Sequence, residues 1–94
     1  AEEAYVQNVY KVANAYIAEN PNAKEGDVSG DCTKSYTAGS YSAGNAPATI
    51  TSCTVAFNSN TQEVTVTWSG AAGTNKTIPS ASTGESSESD GSDN

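Results

Sequence analysis

Few residues in this 94-residue chain could do chemistry. Cys32 and Cys53 are its two thiols, and histidine is missing altogether. Without an imidazole the chain lacks the usual general base for a serine or cysteine nucleophile, and it also lacks the commonest metal ligand. Glu25, Asp27 and Asp31 are close enough in sequence to act as carboxylates in acid–base chemistry or as oxygen ligands for calcium. Both readings compete with the plainer one of solvated acids in a polar loop, and the spacing lacks the regular pattern of a calcium-binding loop. The expectation is a non-enzymatic protein with no catalytic residues, no metal and no cofactor. Asn75-Lys76-Thr77 is a formal acceptor sequence for N-glycosylation, a pattern that arises readily by chance where Asn and Thr are abundant. Tyr36 and Tyr41 could serve an interface, where tyrosine is enriched, or pack over neighbouring strands.

A bond between Cys32 and Cys53 would close a loop of about twenty residues and stabilise the fold by roughly 3 kcal/mol in the chain-entropy view. Two separate buried thiols are the alternative. Sparse charge, abundant Ser, Thr, Asn and Gly, and the absence of Met favour the disulfide and an extracellular setting. The length suits one small domain, of a size that often needs such a staple. A formal charge of −7, carried against four lysines and no arginine, argues against nucleic acid as a partner, because phosphate contact relies on clustered positive charge. Glu85, Glu88, Asp90 and Asp93 concentrate part of that charge in residues 80–94, which hold nothing that could be buried. A disordered acidic tail is expected there.

The elements that would carry these residues are read from periodicity. At about 100° per residue, Tyr5, Val6, Val9, Tyr10, Val12, Ala13, Tyr16 and Ile17 share one face within an arc of roughly 160°, which predicts an amphipathic helix over 2–20. Pro21 stops it. Glu2 and Glu3 suit a helix N-terminus electrostatically. No Ser, Thr, Asp or Asn cap precedes Tyr5, and a chain opening Ala1-Glu2-Glu3 reads as processed or cut, so the helix is expected to continue upstream. No signal peptide and no run of eighteen apolar residues is present in the sequence itself.

Residues 21–47 show no sustained period and predict a long connecting loop, with a short extended piece over 35–41, pinned by Cys32. Residues 48–69 predict an antiparallel hairpin: Cys53, Val55 and Phe57 alternate with Ser52, Thr54 and Ala56, then Val64, Val66 and Trp68 alternate with Thr65 and Thr67. The turn between them is Asn58-Ser59-Asn60-Thr61-Gln62. A third strand over 76–78 ends at Pro79. The fold class is therefore α+β, an N-terminal helix on a small antiparallel sheet within residues 1–79. Its expected core is Tyr5, Val9, Val12 and Tyr16 from the helix against Val55, Phe57, Val66 and Trp68 from the sheet.

A helix that ends Ala18-Glu19-Asn20-Pro21 and leads through a Gly/Ser loop into an antiparallel sheet resembles the globular head of a type IV pilin. The segment Tyr10-Lys11-Val12-Ala13-Asn14-Ala15-Tyr16-Ile17-Ala18-Glu19-Asn20-Pro21 is similar to the C-terminal half of the pilin spine helix. The family's cleaved leader and apolar N-terminal helix are absent from the sequence, so none of their residues carries over. In many pilins the disulfide staples the C-terminal part of the sheet, whereas Cys32 lies here in the helix-to-sheet connection. The resemblance implies a structural subunit of an extracellular, cell-surface filament in bacteria. It also implies self-assembly with other pilin subunits, and an inner-membrane anchor, through the apolar helix, before assembly. A pseudopilin of a secretion or competence machine would share the same head. A secreted non-enzymatic binding module is the rival from another class, and a row of exposed aromatics would favour it.

Overall fold

The Thr/Val alternation after residue 49 becomes the longest pair of strands among the described residues. The computed structural model describes residues 2–78. Along them run α1 (Glu2–Glu19), α2 (Glu25–Val28), β1 (Gly30–Asp31), β2 (Ser35–Ala38), β3 (Tyr41–Asn45), β4 (Ile50–Asn58), β5 (Glu63–Gly70) and β6 (Gly73–Ile78). Strands β4 and β5 pair antiparallel with Cys53 opposite Trp68, Val55 opposite Val66 and Phe57 opposite Val64. That register puts these six side chains on one face, where all are buried. The turn between them is fixed by Asn58, whose side-chain oxygen accepts the N–H groups of Asn60 at 2.9 Å and Thr61 at 3.3 Å. Gln62 closes it with a φ of 64°.

Two further strands extend this hairpin into an antiparallel sheet ordered β1-β4-β5-β6. The third strand anticipated over 76–78 is twice as long as expected and begins at Gly73. A register shift interrupts it opposite residues 68–70, where Asn75 takes a φ of 51° and its N–H bonds the Ser69 hydroxyl at 2.8 Å. A bulge followed by an exposed lysine, Lys76, is a recognised way to keep an edge strand from pairing with another chain.

Helix α1 packs against β5 and against a separate two-stranded ribbon formed by β2 and β3. It buries Glu2, Tyr5, Val6, Val9, Ala13 and Ile17. Covering Val6 and Val9 completely is worth about 1.5–3 kcal/mol each in transfer free energy. The helix ends as Pro21 requires: the backbone and side-chain N–H groups of Asn20 both donate to the Tyr16 carbonyl at 2.9 Å. No helix among the described residues is long and apolar enough to cross a membrane.

Three expectations need correction or fall elsewhere. Residues 21–47 are not one loop; they hold α2, β1, β2 and β3, and the piece over 35–41 is a strand followed by a turn. These elements span two to five residues each, too short to print a period on the sequence. Val12 and Tyr16 lie at the margin of the core and are half-buried, whereas Tyr5, Val9, Val55, Phe57, Val66 and Trp68 are buried outright. Both pack against the core from its margin, and Tyr16 lies beside Gly39 in the turn between β2 and β3. The acidic tail over 80–94 lies outside the described residues.

Candidate functional site

The two cysteines meet. Cys32 follows β1, opposite Cys53 on β4, with the Cα atoms 4.8 Å apart and the sulfurs bonded. The Cys32 N–H donates to the Cys53 carbonyl at 2.9 Å, so the bridge continues the strand pairing beyond β1. Around it, single side chains fasten the connecting segment to the rest of the fold. Tyr5 on α1 donates its hydroxyl to the Cys32 carbonyl at 2.8 Å, and Tyr36 on β2 donates to the Val28 carbonyl at 2.6 Å. The Ser29 hydroxyl accepts the Phe57 N–H at 3.0 Å, and the Thr33 hydroxyl accepts that of Cys53 at 3.1 Å. Burial pushes the Tyr36 phenol up to about 12, and burial followed by the Asp31 charge raises that of Tyr5. Tyr36 is thus a packed fastener, and not an exposed interface residue.

Tyr41 has a different place. It is half-exposed on β3, and its hydroxyl donates to the Glu19 carboxylate at the end of α1. That bond and the glutamate charge raise its phenol pKa. One turn earlier, Tyr16 lies against the backbone of Gly39, where a Cβ would come within 2.8 Å of the ring. Gly39 also has a φ of +62°, so the β2–β3 turn is fitted to glycine twice over.

The acidic trio does not converge. Asp27 caps α2 by accepting the Lys24 N–H at 3.0 Å. Asp31 is tied to Thr33 through the hydroxyl at 2.6 Å and the N–H at 3.1 Å, bonds that hold its carboxyl below the usual range. Among the described residues no three His, Cys, Asp or Glu side chains form a group that could hold a metal ion. Asn75 of the glycosylation sequence is exposed on the bulge of β6. Trp68, only 1% exposed, carries an indole N–H without an acceptor, the one such buried side-chain atom among the described residues. The Lys76 ammonium stands 5.7 Å from the centre of its ring.

Sequence reasoning missed one site, that of Glu2. This glutamate is only 6% exposed, and its carboxylate reaches the turn between β5 and β6. One oxygen accepts the Ala71 N–H and the other the Ala72 N–H, both at 3.0 Å. A bond from the Thr49 side chain, with help from these two N–H groups, holds the carboxyl below its usual range in spite of desolvation. A Cβ on Gly70 would stand 2.7 Å from both carboxylate oxygens, so glycine makes room for the contact. The signal was present in the helical wheel. Glu2 is three residues before Tyr5, four before Val6 and seven before Val9, which places it in the middle of the apolar face.

No known protein family, curated protein or solved structure matches this chain.

Proposed function

We propose that this chain is the outer head of a type IV pilin-like subunit, which assembles with further pilin subunits into an extracellular filament on bacterial cells. In this reading an apolar segment continuous with α1 anchors the subunit in the inner membrane before assembly and packs inside the shaft afterwards. The observation that carries the reading is the helix itself. All eighteen residues of α1 rest one face on the sheet and ribbon, while Glu3, Ala4, Asn8, Lys11 and Ala18 remain exposed along the opposite strip. A rod half-embedded in a stapled head is a part suited to repetition, and the described residues supply it with fasteners rather than reactive groups. The head is read as a structural, non-enzymatic module.

A free binding module would be favoured by exposed aromatics, but no large hydrophobic side chain is exposed among the described residues. A pseudopilin of a secretion or competence machine would share this head, and the neighbouring genes or the filament seen by microscopy would separate the two. The test has two parts. The native sequence upstream of Ala1 is expected to supply about twenty apolar residues in helical continuity with α1. Electron microscopy of producing cells, labelled with an antibody to this head, is expected to decorate fibres along their length. A cleavable signal peptide ending at Ala1, with label on dispersed protein alone, would overturn the proposal.

A further inference from the structure

We propose that the β5–β6 turn, residues 70–73, is a carboxylate receptor built by the sheet, and that Glu2 is its resident ligand. The first turn of α1 is thereby held to the sheet by a removable polar pin, in addition to the apolar contacts further along. The inference concerns the folded monomer and stands apart from the filament reading.

The argument starts from the turn. Gly70 pairs with Gly73, so Ala71 and Ala72 are the two central residues of a tight reversal. The N–H groups of such residues have no main-chain partner across the hairpin and lie side by side, an arrangement that attracts an anion. A carboxylate has two oxygens at a matching separation, and each oxygen of Glu2 takes one N–H at the same 3.0 Å. The missing side chain of Gly70 forms the floor.

Charge around the site also suits an anion. The turn contributes only Gly and Ala. On β6 the nearest ionisable group is Lys76, whose aliphatic stem passes beside Gly73. On α1 it is Glu3, which is exposed on the other face of the helix. The helix N-terminus adds its own positive end.

The receptor can be emptied and refilled. In the full chain carrying Glu2→Ala, the backbone amide resonances of Ala71 and Ala72 are expected to lose their hydrogen-bonded downfield shift. Sodium acetate at neutral pH is then expected to restore both shifts in a saturable way, with an affinity of roughly millimolar or weaker for so small an untethered ligand. Sodium chloride at equal ionic strength should leave them unchanged. Wild-type protein, its receptor already filled, should show no saturable response. Gly70→Ala placed on top of Glu2→Ala should abolish the acetate effect by filling the floor. Amides in the Glu2→Ala protein that ignore acetate, or that respond equally to chloride, would overturn the proposal. So would an equal acetate response in the wild type. If Glu2→Ala does not fold, Glu2→Gln provides the second reading. Its amide side chain keeps one acceptor, so one of the two shifts should survive and the other should be lost; retention of both would contradict a carboxylate-specific site.

Discussion

The β4–β5 hairpin and the segment over residues 21–47 reach order by opposite routes. The hairpin is ordered by repetition: from Ser52 to Asn58 the residues alternate between core and solvent, and the same alternation sets its register across seven pairs of residues. The connecting segment has no repetition. It is held at separate points by the Cys32–Cys53 bond, by the hydroxyls of Tyr5, Tyr36, Ser29 and Thr33, and by the Ala46 N–H on the Lys34 carbonyl at 2.7 Å. Several of these bonds span twenty or more residues of chain. A patterned region loses stability in proportion to the apolar area removed. A pinned region depends on a few atoms, each of which leaves a buried partner unsatisfied when it is lost.

The largest expected effect lies in the patterned region. Trp68→Ala should cost about 3–5 kcal/mol, measured by denaturant unfolding, because it opens a cavity between β5 and α1 that the surrounding strands cannot close. A cost below about 1 kcal/mol would mean that the hairpin is not the centre of the core. Replacing both cysteines with serine comes next, at about 3 kcal/mol in the same measurement.

Removing a single hydroxyl should cost less. Tyr36→Phe leaves the buried Val28 carbonyl without its donor and should destabilise by about 1–2 kcal/mol, with Tyr5→Phe similar through the Cys32 carbonyl. The smallest effect is the pH dependence of the Glu2 contact. Its carboxyl titrates below the usual range in the folded state, so the contact stabilises the fold above the unfolded-state pKa. That contribution is lost as pH falls through the lower, folded value. Thermal melts of wild type and Glu2→Gln should therefore differ near neutral pH and converge in acid. Parallel curves at all pH values would remove Glu2 from the account.

The same contrast explains what could be read in advance. Helix α1, the hairpin and the partners in the disulfide were legible because a period or a scarce residue type announces each of them. The β2–β3 ribbon was not legible: four- and five-residue strands around Gly39 carry too few apolar positions, and what orders them is Tyr16 lying on that glycine. Strand β1 was hidden for the same reason, since two residues cannot alternate convincingly. Glu2 was overlooked because acids at a helix start already have an electrostatic explanation. Its position in the middle of the apolar face was the stronger clue. Val12 and Tyr16 satisfied the wheel, but the arc covered by neighbours is narrower than the arc of apolar residues.

The claim beneath this reading is that one covalent bond and a few hydroxyls, rather than a hydrophobic pattern, hold the connection between helix and sheet. Amide hydrogen exchange followed residue by residue, with and without a phosphine reductant, tests it most directly. After reduction the amides of Val55 and Val66, which open only with the whole fold, should exchange about a hundredfold faster, the equivalent of roughly 3 kcal/mol, and those of Ser29, Cys32 and Ala46 should accelerate further through local opening. Equal acceleration across both regions, or none in the segment over 21–47, would contradict it.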